Sequence, residues 1–210
     1  MGLLFCFVLV VVVVVLTSRV CRISVRFKSW TKKTFDVDTA KHPDCVRSAG
    51  TLERELEDDR LLHLFLRVDY RWDVYPCGTD GNCLYRSVSH QLYGHERKHA
   101  ELRSECGRHI SKYRHRFRGF ITDDVESFLM QQRQDGDWGC QVCLVALSEM
   151  LLVKIHVYRY DHTLEKIVVQ KVEEPPPENS TAIMNETAIN ISFHGYGHYN
   201  SLIRLPNFVA

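Results

Sequence analysis

Patterns typical of helices fill the middle of this chain of 210 residues, whereas most patterns typical of strands lie in its last third. Apolar residues recur at helical spacing from Thr51 to Leu66, and further helical runs continue as far as Leu151. Residues of strand character then follow at 153–160, 164–172, 188–193 and 199–205, after one short aromatic run at 70–75. Helices first and strands late predict an α+β domain, in which a small, mostly antiparallel sheet packs between helices.

A polar, glycine-containing turn delivers a cysteine to the start of one of these helices. The turn is part of Asp80-Gly81-Asn82-Cys83-Leu84-Tyr85-Arg86-Ser87, and an apolar stripe continues it as a helix that ends at Gly94. In the first helical turn Cys83 would lie beside unpaired backbone N–H groups, which favour negative charge. We therefore expect a lowered thiol pKa, a nucleophilic Cys83 and an oxyanion site formed by those N–H groups. The alternative is a buried structural cysteine, but such a residue needs no polar turn before it.

A histidine far along the chain supplies what a reactive cysteine needs. It lies in Gly197-His198-Tyr199-Asn200-Ser201-Leu202, at the start of a predicted strand. Because residues two apart in a strand share a face, Asn200 can orient the imidazole of His198. Cysteine, histidine and an orienting amide are the constellation of thiol hydrolases. The alternative for His198 is a surface or capping role.

With these motifs the chain resembles the ovarian-tumour (OTU) family of papain-like cysteine proteases, which remove ubiquitin. The central block Gly136-Asp137-Trp138-Gly139, followed by Val145-Ala146-Leu147-Ser148, strengthens the resemblance. It implies a papain-like OTU fold, ubiquitin and ubiquitinated proteins as partners, and cleavage of the isopeptide bond after the C-terminal glycine of ubiquitin, without a cofactor. It also implies a catalytic set: the nucleophile Cys83, the general base and acid His198, the orienting Asn200, and Asp80 in the loop that shapes the oxyanion hole.

Two cysteines mark a departure from the family pattern. Cys140-Gln141-Val142-Cys143 stands where the family usually has an acidic residue near position 143. The spacing fits zinc ligands or a redox dithiol, but no second pair at metal spacing accompanies it, so we expect no metal site. Two rival functions remain: a catalytically silent ubiquitin-binding module, which the intact catalytic set argues against, and a membrane-tethered interaction protein.

The N-terminal segment 1–18 is apolar, with a continuous apolar run at residues 2–16. A run of this length is marginal for a membrane span or a signal peptide, and a start site placed too far upstream is the third alternative. A basic cluster follows from Arg19 to Lys33, and the positive-inside rule would keep it in the cytosol. We expect possible membrane association through residues 2–16 and a cytoplasmic catalytic domain. Three glycosylation sequons, at Asn179, Asn185 and Asn190, would carry sugar if the domain were lumenal.

The remaining organisation follows from composition and charge. We expect a basic linker at 19–50, a leading helix at 51–70 and the OTU catalytic domain at 71–207. The net charge of +1 leaves no large electrostatic footprint for nucleic acid. A basic helix face between Arg97 and Phe117 is interpreted as a solvated face, because no aromatic residues are interleaved with it.

Overall fold

The computed structural model describes residues 49–121, 124–175 and 185–206. The predicted apolar segment 1–18 and nearly all of the predicted linker 19–50 lie outside these ranges. None of the helices in the described ranges combines enough length and apolarity to cross a bilayer. The helices are α1 (Ala49–Asp69), α2 (Cys83–Tyr93), α3 (His99–Lys112), α4 (Arg114–Phe117), α5 (Val125–Gln132) and α6 (Gln141–Leu151).

Five strands form one mixed sheet in the order β1-β5-β4-β2-β3. Strands β2 and β4 pair in parallel, while β1 with β5, β4 with β5, and β2 with β3 pair antiparallel. The predicted α+β class and the mostly antiparallel sheet are therefore confirmed. The strands are β1 (Trp72–Tyr75), β2 (Lys154–Asp161), β3 (Lys166–Val172), β4 (Ala188–His194) and β5 (His198–Arg204).

The two faces of the sheet carry different helices, as the contacts of β5 show. Leu202 belongs to a hydrophobic cluster with Leu62 and Leu66 of α1. The next residue towards the N-terminus, Ser201, instead contacts His90 and Gln91 of α2 through its hydroxyl group. Because successive side chains of a strand point to opposite faces, α1 and α2 lie on opposite sides of the sheet. The sheet is thus packed between helices, as predicted.

Helix α1 joins the sheet through a narrow apolar stripe. Leu62 and Leu66, one helical turn apart, are almost fully buried against Tyr158, Ile167 and Leu202 of the sheet. The other predicted apolar positions of the helix include Leu52, Leu56 and Leu64, which are about half exposed. The leading helix therefore shares a hydrophobic core with the sheet.

Helices α2 and α6 form the most buried part of the helical layer. Helix α6 buries every residue from Val142 to Glu149, which accounts for its lack of a polar face. It is preceded by Gly139, where a side chain would collide with Leu84 of α2. Helix α2 ends as predicted at Gly94, which takes a left-handed conformation with φ of 71°.

Three local predictions are wrong, because the apolar pattern alone does not set where a helix begins and ends or which of its faces is buried. The single helix predicted from Arg97 to Phe117 is interrupted at Tyr113, which separates α3 from α4. The sequence pattern also predicts that Trp138 opens a helix, but α6 begins only at Gln141. The same pattern predicts that Met130 points inward, but Met130 is 64% exposed, since the helix that Asp124 caps buries Leu129 instead.

Candidate active site

Cys83 is the first residue of α2 and is 2% exposed. Helical hydrogen bonding starts with the Arg86 N–H, which donates to the Asn82 carbonyl at 2.9 Å. The N–H groups of Cys83 and Leu84 therefore precede the first helical hydrogen bond. Together with the backbone N–H of Tyr199, they act on the Cys83 thiol in the direction that lowers its pKa. The turn thus places the thiol at the helix N-terminus, as predicted, and next to the strand that carries His198.

Asp80 stabilises the turn through its carboxylate. Its Oδ1 accepts a hydrogen bond from the Asn82 N–H at 3.1 Å, and the carboxylate receives two more from Arg86, at 3.0 and 2.5 Å. The Arg86 guanidinium, followed by the hydrogen bonds from Asn82, holds the pKa of the Asp80 carboxyl well below its usual range. Arg86 also donates to Glu96 at 3.3 Å, so one arginine links the turn to the segment after α2. The partners of the Asp80 carboxylate are thus Asn82 and Arg86, through which it shapes the loop.

The buried Arg103 of α3 fastens the same turn to the block around Trp138. Its guanidinium donates to the Asn82 side-chain oxygen at 3.0 and 2.8 Å and to the Gly81 carbonyl at 3.1 Å. It also donates to the carbonyls of Gln132, at 3.0 Å, and Asp137. Every one of these acceptors is a neutral oxygen, so Arg103 acts as a clamp on backbone geometry.

Two loops approach each other closely at Gly81 and Gly136, which explains why each loop has a glycine there. Gly81 has φ of 80°, and a Cβ added to it would lie 1.7 Å from the carbonyl oxygen of Gly136. Any other residue at position 81 would push the loops apart and would also adopt an unfavourable backbone conformation.

The basic face of the helix that contains Arg103 is predicted to be solvated. That prediction is wrong at Arg103, which is 4% exposed.

His198 and Asn200 lie on the same face of β5 and are in contact, as predicted. The Nε2 atom of His198 lies 3.0 Å from the Oδ1 atom of Asn200. The backbone N–H of Cys77 donates to the same oxygen at 2.8 Å. Because a backbone N–H is always a donor, the amide oxygen must face it, and the proton of a neutral His198 must then lie on Nε2. Nδ1 is left with the free electron pair that a general base requires.

Burial is the largest influence on the pKa values of Cys83 and His198. Desolvation raises the pKa of the Cys83 thiol, although the backbone N–H groups of Tyr199 and Leu84 act in the opposite direction. Desolvation likewise lowers the pKa of His198 below 6.5, only partly offset by the hydrogen bond to Asn200. The predicted lowering of the thiol pKa is thus wrong for the protein without substrate: the helix N-terminus has the expected sign but is outweighed by burial. At neutral pH the pair consists of a thiol and an uncharged imidazole.

Cys140 and Cys143, which depart from the family pattern, are close together but are not arranged as metal ligands. The sulfur atoms of Cys140 and Cys143 are 3.7 Å apart, and Cys143 donates to the side-chain oxygen of Gln132 at 3.0 Å. Among the described residues, no group of three or more histidine, cysteine, aspartate or glutamate side chains is arranged to hold a metal ion. Cys140 occupies the N-cap position of α6, and Cys143 is fully buried inside it.

Three residues near the site were not among the predicted site residues. Arg103 is indistinguishable in sequence from the exposed basic residues of its helix. The sequence predicts His194 in the turn before His198, but it is the last residue of β4 and lies directly opposite His198. It contacts both Asn200 and Asp59 of α1. The only sequence signal for His194 was its place at the end of an alternating run, and Asp59 had none.

Comparison with known proteins identifies related sequences over most of the described residues. A family model described as OTU-like cysteine protease matches residues 78–199. Human OTU domain-containing protein 1 is 33% identical over 140 residues, which are 67% of this chain and 28% of that protein. The ovarian tumor domain-containing deubiquitinating enzyme 6 of Arabidopsis thaliana is 30% identical over 148 residues, which are 70% of this chain and 27% of that protein. The chain thus spans less than a third of the length of these curated relatives.

Solved structures share the architecture. The OTU domain of OTUD1 superposes with a TM-score of 0.61 and 29% identity, covering 73% of this chain and 99% of that one. The Hazara virus OTU, solved bound to ubiquitin, gives a TM-score of 0.51 at 19% identity, covering 65% of this chain and 83% of that one. The second likeness is one of fold alone.

Proposed function

Because the chain belongs to the OTU-like cysteine protease family, we propose that it is a deubiquitinating thiol hydrolase that cleaves the isopeptide bond after the C-terminal glycine of ubiquitin. The observation that carries the proposal is the polarity of Asn200. Its oxygen, fixed by the Cys77 N–H, holds the proton of His198 on Nε2 and leaves Nδ1 as the base. The backbone N–H of the adjacent Tyr199 acts to lower the pKa of the Cys83 thiol, which supports a shared site for base and nucleophile.

In the proposed reaction, Nδ1 of His198 takes the thiol proton as the Cys83 sulfur attacks the carbonyl carbon of the ubiquitin C-terminal glycine. The N–H groups at the start of α2, in the loop that Asp80 shapes, stabilise the oxyanion. The resulting imidazolium protonates the leaving lysine amine, and the neutral ring then activates the water that hydrolyses the thioester. Asn200 keeps the ring in one orientation through both halves of the reaction.

Two further observations support ubiquitin as the substrate. The Arabidopsis relative is named as a deubiquitinating enzyme, and the Hazara virus OTU was solved with ubiquitin bound.

The proposal is tested with ubiquitin that carries a thiol-reactive group at its C-terminus. We expect the full chain to form a covalent adduct and Cys83→Ala to form none, with turnover of ubiquitin substrates reduced on the order of a thousandfold or more. Cys140→Ser is the matched control, because Cys140 is more exposed than Cys83 and is not one of the proposed catalytic residues. Binding without capture by the wild-type chain would indicate a silent ubiquitin-binding module, and neither binding nor capture would favour a membrane-tethered interaction protein.

We also propose that the catalytic domain, predicted to span residues 71–207, faces the cytosol, with residues 2–16 as a membrane anchor. The basic cluster after that run supports this orientation. Asn190 supports it too: its side chain accepts from the Tyr158 hydroxyl at 3.1 Å and donates to the Ala188 carbonyl within β4, which leaves no room for a glycan. Asn185 is exposed, so a glycosidase-sensitive shift in mobility that is lost in Asn185→Gln would exclude the cytosolic orientation.

A further inference from the structure

The hydrogen bonds of Asn200 do not end at His198. The amide nitrogen of Asn200 lies 3.0 Å from Nε2 of His194, and Nδ1 of His194 lies 3.0 Å from a carboxylate oxygen of Asp59. His194 is 1% exposed. Asp59 belongs to α1, which precedes the segment matched by the family model. A continuous chain of polar contacts therefore runs from the leading helix to the candidate base.

The positions of the protons along this series of hydrogen bonds follow from the groups at its two ends, the Cys77 N–H and the Asp59 carboxylate. The Cys77 N–H fixes the oxygen of Asn200 on the side of His198, so the NH₂ group must face His194. An NH₂ group only donates, and Nε2 of His194 must therefore be an unprotonated acceptor. The proton of a neutral His194 then lies on Nδ1, where the Asp59 carboxylate accepts it. The Ser192 hydroxyl also lies 3.1 Å from Nε2 of His194, and because a hydroxyl can donate to an unprotonated nitrogen it fits the same arrangement.

The opposite arrangement is excluded by the same contacts. A proton on Nε2 of His194 would face the NH₂ group of Asn200, so that two donors would oppose each other. Turning the amide would relieve that contact but would place the NH₂ group against the Cys77 N–H, so that two donors would again oppose each other. Three rings surround His194: His63, Tyr196 and His198 have centroids 5.6, 5.7 and 6.4 Å away. Asp59 is the carboxylate that faces it.

We propose that Asp59 and His194 are positioning residues of the active site, which fix the amide orientation of Asn200 and thereby the orientation and tautomer of His198. The proposal rests on the proposed thiol hydrolase function and deepens it. It makes α1 part of the catalytic unit, although the sequence predicts this helix as a segment preceding the catalytic domain. Neither residue touches the reacting atoms, so both act through Asn200.

The neighbouring Asp58 provides a matched control. Its carboxylate lies 3.0 Å from Nδ1 of His162, in the turn between β2 and β3, so it also ties α1 to the sheet through an aspartate–histidine pair. That pair is more exposed and has no connection to Asn200. Asp58→Ala and Asp59→Ala remove the same group from adjacent positions of one helix, and only the second interrupts the chain of contacts.

The test compares the two variants in the full chain, with hydrolysis of a fluorogenic amide at the C-terminus of ubiquitin. For Asp59→Ala we expect kcat to fall on the order of tenfold with KM within about twofold, because the base is misoriented while ubiquitin binding is intact. For Asp58→Ala we expect kcat within about twofold of wild type. Equal losses in both variants, or a loss in KM alone, would show that α1 has a structural role only and would overturn the proposal.

A spectroscopic measurement separates this proposal from the proposed function. Two-bond ¹H–¹⁵N correlations of the histidine rings, assigned with His194→Gln, report which nitrogen carries the proton. We expect His194 to be protonated on Nδ1 and His198 on Nε2 in wild type and Asp58→Ala, with the His194 pattern lost in Asp59→Ala. A proton on Nε2 of His194 in wild type overturns the positioning role even if ubiquitin is cleaved. Conversely, a chain that never reacts with ubiquitin but shows the expected tautomers refutes only the hydrolase.

Discussion

Cys83 and His198 are both buried, yet the loop that carries Cys83 and the strand that carries His198 are fixed in different ways. The cysteine loop is held by charged side chains: Asp80 with Arg86 at its rim, and Arg103 beneath it. The histidine strand is held by side-chain contacts that pass from ring to amide to ring. The difference follows from what each side must supply. A nucleophile needs its backbone placed, whereas a base also needs its protons placed.

The contacts of the cysteine loop and those of the histidine strand also differ in their exposure to water. Asp80 is 46% exposed, so its attraction to Arg86 is weakened by solvent and salt. His194, Asn200 and His198 are all buried, and their hydrogen bonds compete with no water. We therefore expect changes beneath the cysteine loop to lower stability most, changes at its rim to lower stability least, and changes along the histidine strand to alter kcat.

The largest expected effect is that of Arg103→Leu. Removing the guanidinium takes the donor from the Gly81 carbonyl and leaves the buried Asn82 side-chain oxygen with the long hydrogen bond from the Gly136 N–H, at 3.4 Å. We therefore expect the free energy of unfolding to fall by about 3 kcal/mol. Urea denaturation measures this change. Arg116→Leu is the control, because Arg116 pairs with the buried Glu149 away from the site. Both variants should be destabilised, but only Arg103→Leu should slow capture of ubiquitin at temperatures where the chain is folded, and equal capture rates would contradict the clamp.

An intermediate effect is expected for the pH dependence of Cys83 alkylation. Because burial raises the pKa of the thiol and His198 is uncharged at neutral pH, the free protein should react slowly with iodoacetamide at pH 7. The rate should rise about tenfold per pH unit up to pH 9, as the thiolate fraction does below the pKa. Mass spectrometry of the Cys83 peptide over time measures the rate. A fast rate that is constant between pH 6 and 8 would instead reveal a thiolate–imidazolium pair.

The smallest effect is expected for Asp80→Asn. The folded pKa of Asp80 is depressed, so its contribution to stability is present above about pH 4 and is lost as the pH falls through the folded pKa. Exposure limits that contribution to less than about 1 kcal/mol at pH 7. Urea denaturation at low and high salt should show a difference from wild type that shrinks with salt. A loss that is large and independent of salt would show that Asp80 is needed for more than its contact with Arg86.

Much of the site was predictable because its signals are local. A polar turn before an apolar helical stripe was enough to place Cys83 at a helix start, and a two-residue spacing was enough to put His198 beside Asn200. The thiol pKa was not predictable, because it depends on how completely the folded chain covers Cys83. Arg103 was missed for the same reason, since its burial depends on the loops that pack over it. The roles of the predicted site residues and the limits of the catalytic domain stay predictions.

The order of helices and strands in the sequence determined the α+β class, because apolar periodicity and turn residues act within a few positions of one another. Only the tertiary structure decided that Asp59 and His194, 135 residues apart, would meet beneath Asn200. Their contact depends on the packing of α1 against the sheet through Leu62 and Leu66. This packing occurs on the face of the sheet that carries the side chains of His194 and Asn200. Hydrogen bonds are directional and short-ranged, so a chain of them exists only after packing has brought its members to within about 3 Å.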